Sequence, residues 1–280
     1  MIKTIAVAGA GTMGSGIAQV AAESGHSTIL FDLNKEILKK AAIIIKKSLQ
    51  YLADKKSISP EQQQQIFKNI LFTGNSNDCI ADLIIEAIIE KATAKIELFN
   101  QLATLNTATT IFATNTSSLS ISEIQAAIIH PQRVVGMHFF NPAPVMKLVE
   151  IIQGAQTDDA TVQAIYSLCK SMNKTPVICK DAPGFIVNRI ARQYYLEAMQ
   201  LVEEGIATIE NVDAVMEATG FKMGPFKLMD LIGLDINLAV SKSMYDAFEH
   251  EQRFAPAALQ MDKVSKGELG RKTGKGFYNY

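Results

Sequence analysis

The chain has 280 residues, 48% of them hydrophobic and 20% charged, with a net charge of -1. That composition excludes a disordered protein and leaves no global basic field to draw nucleic acid or anionic lipid. No apolar stretch reaches the roughly 20 residues that a membrane span needs, and the length suits one large domain or, better, two.

Met1-Ile2-Lys3-Thr4 runs directly into the apolar Ile5-Ala6-Val7-Ala8, without the charged lead and cleavage site of a signal peptide. Cys79, Cys169 and Cys179 are odd in number and widely spaced. They form neither a disulfide framework nor a zinc pattern and read as buried free thiols. A cytoplasmic protein without a metal is expected.

The apolar run Ile5–Ala8 predicts a first strand ended by glycines, followed by a helix over Ile17–Glu23. Ser27–Phe31 predicts a second strand, ended by Asp32, and a long helix follows over about 35–54. Ser59-Pro60-Glu61-Gln62 starts another helix, with Ser59 as N-cap, Pro60 in the first turn and Gln62 closing a capping box. Further strands are predicted at Ile70–Thr73, Leu83–Ala87, Thr110–Thr114, Val134–His138, Leu148–Ile152 and Pro176–Cys179, and Ser120-Ile121-Ser122-Glu123 is a second capping box. Alternating strands and helices imply a mainly parallel sheet covered on both faces. After Asp181-Ala182-Pro183-Gly184 only helical periodicity remains, over Phe185–Glu204, Ile209–Ala218, Leu228–Phe248 and Ala257–Lys266. The expected division is an α/β domain over 1–183, with a helical arm at about 35–69, and an all-α domain over 184–280.

Gly9-Ala10-Gly11-Thr12-Met13-Gly14 sits between a strand and a helix, the context in which GxGxxG binds a dinucleotide. Gly9 permits the tight turn, Gly11 lets a pyrophosphate approach the backbone, and Gly14 lets helix and strand pack. The phosphates would lie on the helix N-terminus beside Thr12 and Met13. Asp32, 18 positions after Gly14, is placed to bind both ribose hydroxyls. Its charge repels a 2′-phosphate, so NAD is expected rather than NADP. The first domain is therefore of Rossmann type.

Between Asp32 and the third strand lie Lys39, Lys40, Lys46, Lys47, Lys55 and Lys56. They form a local positive stripe suited to a polyanionic handle such as the phosphates of coenzyme A. A solvated helix face is the plainer alternative. Asn115-Thr116-Ser117-Ser118 follows an apolar strand, where ligands bind in open α/β sheets, so Ser117 is a candidate to hydrogen-bond a substrate oxygen. His138 ends another strand and is suited to proton transfer near neutral pH. The turn through Phe139-Phe140-Asn141-Pro142-Ala143-Pro144 could bring Glu150 beside it, where a carboxylate would orient the imidazole and stabilise its charged form. Asn188, one turn into the first helix of the second domain, carries an amide that could polarise a carbonyl.

Together these strings resemble the short-chain L-3-hydroxyacyl-CoA dehydrogenases, and most closely the bacterial 3-hydroxybutyryl-CoA dehydrogenases. The resemblance runs over essentially the whole chain. It rests on the Gly9–Gly14 loop with Asp32, Glu86-Ala87-Ile88-Ile89-Glu90, Asn115–Ser118, His138-Phe139-Phe140-Asn141-Pro142 with Glu150, and Asp181 through Arg189. Gly224-Pro225 and the run from Gly270 to Tyr278 complete it. It implies an NAD-dependent oxidoreductase that interconverts (S)-3-hydroxyacyl-CoA and 3-oxoacyl-CoA, as in fatty-acid and butanoate metabolism. It implies His138 as catalytic acid/base, Glu150 as its orienting partner, and Ser117 and Asn188 as holders of the substrate's reacting oxygen. Glu90, Lys95, Ser117 and Asn141 would contact the cofactor, Ser48 and Lys55 the coenzyme A moiety, and the helical domain a second copy. The alternatives are a related dehydrogenase of a sugar acid or carnitine, or a non-catalytic NAD-binding protein. Two domains fill the chain, so a single reaction without a fused hydratase is expected.

Overall fold

A computed structural model of the chain describes residues 2–280. It divides into two compact units, one ending at Ala182 and the other spanning Pro183–Tyr280.

The first unit is built on β1 (Thr4–Ala8), β2 (Ser27–Phe31), β3 (Ile70–Thr73), β4 (Leu83–Glu86), β5 (Ile111–Thr114), β6 (Val134–Phe139), β7 (Leu148–Gln153) and β8 (Thr175–Lys180). They form one sheet in the order β3-β2-β1-β4-β5-β6-β7-β8. Every neighbouring pair is parallel except β6 and β7. Every residue of β4, β5 and β6 is buried, which accounts for their unbroken apolar runs. The strand order reverses at β1, so the loops after β1 and β4 flank the crevice where such sheets bind ligands.

The predicted arm is a helical hairpin of α2 (Lys35–Asp54) and α3 (Pro60–Lys68), following α1 (Thr12–Glu23). Leu38, Ala41, Ile45 and Leu49 recur at three- and four-residue spacing on α2 and join the sheet core, with Ile66 from α3. The hairpin's inner face is thus part of the core, while its lysines stay exposed. The Ser59–Gln62 capping box forms in both directions. α4 (Ala92–Ala103), α5 (Ile121–Ala126) and α6 (Asp159–Ser171) complete the layers. Ser120 caps α5 by accepting from the Glu123 N–H, and Asp181 receives the Ser120 hydroxyl and the Ser122 N–H. Cys79 and Cys169 are buried as expected, but Cys179, on β8, is only half-buried. Burial pushes all three thiols up, to about 12, 12 and 11, so none is a nucleophile near neutral pH.

The second unit contains α7 (Val187–Glu203), α8 (Ile209–Ala218), α9 (Pro225–Ile232), α10 (Leu234–Ala247) and α11 (Ala258–Ser265). Two expectations are corrected here. α7 starts at Val187 rather than Phe185, because Gly184 and Phe185 both hold positive φ. The single helix expected over Leu228–Phe248 is two helices. Pro225 starts the first, and Gly233, at φ +104, breaks the helical path between them. The core of this unit gathers Tyr195, Leu196, Met199, Phe226, Met229 and Leu234.

Candidate active site

The glycine loop joins β1 to α1, and its three glycines have different causes. Gly9 has φ +100, and a Cβ there would lie 2.5 Å from the Ala87 carbonyl oxygen. A Cβ on Gly14 would lie 1.7 Å from the Gly9 carbonyl. Both glycines are required by the protein's own packing. Gly11 is not: its φ is -67, and a Cβ would meet nothing within 4 Å. A glycine with no internal reason, at the uncapped N-terminus of a twelve-residue helix, leaves open space where backbone N–H groups and the helix dipole favour an anion. Thr12 and Met13 form the first turn of that helix. Asp32, just past β2, accepts the Ala10 N–H at 2.9 Å and the Asn34 N–H at 2.8 Å. One lone pair on each oxygen remains for a ribose hydroxyl. The loop and its acid therefore fit NAD.

At the ends of β4 and β5 lies a charged network. The Lys95 ammonium, on α4, sits 2.7 and 2.9 Å from the two Glu86 oxygens and 3.1 Å from Glu90 Oε2. Glu86 also accepts the Ile88 N–H at 2.6 Å and the Thr114 hydroxyl at 2.7 Å. Glu90 Oε1 accepts the Thr116 hydroxyl, the Ser117 N–H at 3.0 Å and the Ser118 hydroxyl at 3.3 Å. Burial alone would raise the Glu90 carboxyl; the Lys95 charge and the Thr116 and Ser117 donors outweigh it and hold the group below its usual value. Glu86 and Lys95 are buried, whereas Glu90 is partly exposed.

His138 and Glu150 are opposite partners in the antiparallel β6–β7 pair, the one point where the sheet changes direction. Both are buried, and His138 Nδ1 lies 2.7 Å from Glu150 Oε2. An ionised carboxylate accepts, so Nδ1 carries the proton and Nε2 is the nitrogen able to take another. The Phe140 ring stands 4.5 Å from the imidazole, centroid to centroid. Asn115 Oδ1 accepts the Phe139 N–H at 2.8 Å and so joins the loop after β5 to the end of β6. The turn between β6 and β7 is held from below. Lys174 donates to the Ala143 and Met146 carbonyls at 2.6 and 2.9 Å, and burial lowers its pKa. Asn141 is exposed on this turn.

Gly9, Gly11, Thr12, Met13, Gly14, Asp32, Glu90, Lys95, Ser117, His138, Asn141 and Glu150 thus all lie at one end of the first unit's sheet, in its loops, at the strand ends or in the first turns of α1 and α4. Asn188 belongs to the second unit, near the start of α7. Ser48 lies on α2, and Lys55, seven residues later, is the C-cap residue just past its end. Ser48 accepts from the buried Gln19 amide at 2.9 Å, and the exposed Lys55 ammonium lies 5.7 Å from the Tyr51 ring. The lysine stripe divides. Lys46 and Lys47 line a groove of about 600 Å³ toward α3, together with Phe67 and Lys68, on a different face from Ser48 and Lys55. Sequence reasoning missed Glu86 as a site residue, along with Thr116, Asn115 and Lys174. The available signal for Glu86 was an acid closing an otherwise apolar strand.

The 3-hydroxyacyl-CoA dehydrogenase NAD binding domain matches residues 4–182, and the 3-hydroxyacyl-CoA dehydrogenase C-terminal domain matches residues 184–280. The chain is 44% identical to the 3-hydroxyadipyl-CoA dehydrogenase of Escherichia coli K12, covering all of this chain and 59% of that relative. It is 41% identical to a probable 3-hydroxybutyryl-CoA dehydrogenase of Bacillus subtilis, covering all of this chain and 98% of the relative. A crystal structure of 3-hydroxybutyryl-CoA dehydrogenase from Escherichia coli K12 superposes with a TM-score of 0.97 at 44% identity, over all of this chain and 60% of that one. The chain spans about three-fifths of the length of these Escherichia coli relatives. With both halves matched end to end, the chain belongs to the 3-hydroxyacyl-CoA dehydrogenase family, its first unit being the family's NAD-binding domain.

Proposed function

We propose that the chain carries out the reversible, NAD-dependent oxidation of an (S)-3-hydroxyacyl-CoA to the 3-oxoacyl-CoA, with 3-hydroxybutyryl-CoA and acetoacetyl-CoA as its short-chain pair. The buried His138–Glu150 pair, 2.7 Å apart at the end of β6, carries this reading. When bound, NAD supplies the two-electron chemistry, as hydride acceptor for carbon 3 of the substrate or, reduced, as donor to it.

In the oxidising direction His138 Nε2 takes the hydroxyl proton, and Glu150 stabilises the imidazolium that results. In the reducing direction the same nitrogen returns the proton to the new hydroxyl. Burial strengthens the pairing, because the charge that appears on the ring is balanced at 2.7 Å rather than by water. Ser117 holds the substrate's reacting oxygen from the loop after β5, and Asn188 is the helical unit's candidate for the same oxygen. Glu90 and Asn141 border the nicotinamide side of the cofactor, and Asp32 selects NAD over NADP. Ser48 on α2 and Lys55 at its C-cap hold the coenzyme A handle.

Mixing the protein with NADH and acetoacetyl-CoA tests the reading. Loss of NADH absorbance with formation of the (S)-alcohol is expected. No consumption with any 3-oxoacyl-CoA, despite NADH binding, would favour the non-catalytic alternative. We further propose a homodimer through the second unit, which exposes Ile190, Val215, Phe221, Leu231 and Ile236. Sedimentation of the intact chain as a monomer at micromolar concentration would contradict it.

A further inference from the structure

Glu86 is wholly buried, yet no step of the proposed reaction uses it. A carboxylate has roughly four acceptor positions. In Glu86 they are taken by two contacts from the Lys95 ammonium, the Ile88 N–H and the Thr114 hydroxyl. Glu86 has no capacity left for a ligand. The same count applies to Lys95. An ammonium has three donors, and all three are directed at carboxylate oxygens: two at Glu86 and one at Glu90 Oε2. The resemblance implied Lys95 as a direct cofactor contact, but its protons are already committed within the protein.

The next link is the informative one. Lys95 holds one oxygen of Glu90, and the other oxygen gathers the Thr116 hydroxyl, the Ser117 N–H and the Ser118 hydroxyl. The segment that carries Ser117 therefore hangs on Glu90, Glu90 on Lys95, and Lys95 on Glu86. Glu86 and Thr114 are also register partners across β4 and β5, so the anchor is tied to both strands. A buried ammonium between two carboxylates is a stiff arrangement, since moving any member leaves an uncompensated charge.

From this chain of contacts we infer that Glu86 is a positioning residue for the reaction: through Lys95 and Glu90 it sets where Ser117 meets the substrate's reacting oxygen. The inference rests on the dehydrogenase reading for its kinetic consequence, but its structural core does not. Glu86→Gln keeps the size of the side chain and removes its charge. The Lys95 ammonium then has Glu90 as its sole ionic partner and draws it from the 116–118 segment.

Two readouts test this. In the first, amide hydrogen exchange at Ser117 is compared in the native chain and in Glu86→Gln, without cofactor or substrate. Exchange at least tenfold faster is expected, with the melting temperature little changed; unchanged protection in a folded variant overturns the inference. The second is a double-mutant cycle on kcat for acetoacetyl-CoA reduction. Glu86→Gln is expected to lower kcat about tenfold or more with little change in KM. Combined with Ser117→Ala it is expected to cost nothing beyond Ser117→Ala alone. Losses that multiply would show that Glu86 acts elsewhere and would also overturn the inference. If Glu86→Gln does not fold, Glu90→Gln, on a partly exposed side chain, enters the same cycle and exchange measurement with the same outcomes. A native chain that is idle with acetoacetyl-CoA defeats the functional reading, and the exchange result still decides the positioning role.

Discussion

The two units handle buried charge in different ways. In the first, the buried Lys174 holds backbone carbonyls, but the charges at the site face each other: Glu86 and the partly exposed Glu90 around Lys95, and Glu150 against the imidazole of His138. They sit at strand ends beside the loops that open to ligand. In the second unit, buried charges face the backbone and neutral groups. Asp213 accepts the Phe226 and Lys227 N–H groups at the start of α9 and the Tyr278 hydroxyl. Asp230 accepts the Phe277 and Tyr278 N–H groups and the Tyr280 hydroxyl. The Arg192 guanidinium donates to the Asn237 carbonyl, its side-chain amide and the Ser241 hydroxyl. Paired side-chain charges can shift a proton or reposition a loop. Charges clamped on backbone groups fix the path of the chain. The comparison also gives a role to the Gly270–Tyr278 run, which sequence reasoning left without chemistry. The end of that run is a strap, drawn onto α8 and α9 by two buried aspartates.

If this division is right, substitutions in the two units should fail differently. The largest effect is expected for His138→Gln. Turnover should drop by roughly 10²–10⁴, the usual range for a general acid–base group, while NADH binding, followed by its fluorescence, persists. Retained turnover would remove His138 from the chemistry. Asp230→Ala should do the reverse. Two backbone N–H groups, one of them fully buried, and the hydroxyl of the exposed Tyr280 lose their acceptor, so stability should fall by on the order of 2 kcal/mol, read as a lower calorimetric melting temperature. The kcat of the remaining folded protein should hold. A large fall in kcat at unchanged stability would break the comparison. Asp32→Ser should have a smaller effect, weakening NADH about tenfold and narrowing its advantage over NADPH. An unchanged preference would mean that another group reads the ribose.

Much of the fold was legible because its signals are local. The Ser59–Gln62 box, the Gly9–Gly14 turn and the apolar runs of β4 to β6 each lie within a few residues. That the turn after His138 could bring Glu150 beside it was also legible, because so short a connection joins antiparallel strands, but the register that sets the two residues opposite each other belongs to the fold. What escaped depends on burial or on distant groups. Lys95 was named as a site residue, but its pairing with Glu86, nine residues away on a strand end, shows only once both are known to be buried. Lys174 pins a turn some thirty residues earlier in the chain. Gly233 lies inside the helix expected over Leu228–Phe248, but its φ of +104 ends one helix and starts another. The position of Asn188 on α7 was legible, whereas its contribution to a reaction is a matter for substitution and kinetics.

The smallest expected effect concerns acid. Glu268 accepts Lys263 at 2.7 Å and lies 2.5 Å from Lys275, and these two ammonium groups pull its carboxyl down to about 2. A carboxyl whose pKa is lower in the folded than in the unfolded chain binds fewer protons when folded. The stability it contributes is complete above the ordinary value of 4.5 and is lost as the pH falls toward 2. Glu90 follows the same sign in the first unit, with Lys95 as its buried partner. The two units differ in how salt should act. Lys275, one of the two partners of Glu268, is exposed to solvent ions, whereas Lys95 is buried. Replacing Lys263 and Lys275 by Met should flatten the fall in melting temperature between about pH 4.5 and pH 2, and added salt should mimic the replacement in the parent. An equally steep fall in the double variant would assign the acid sensitivity to the first unit. It would then follow the charges that face each other there rather than the strap of the second.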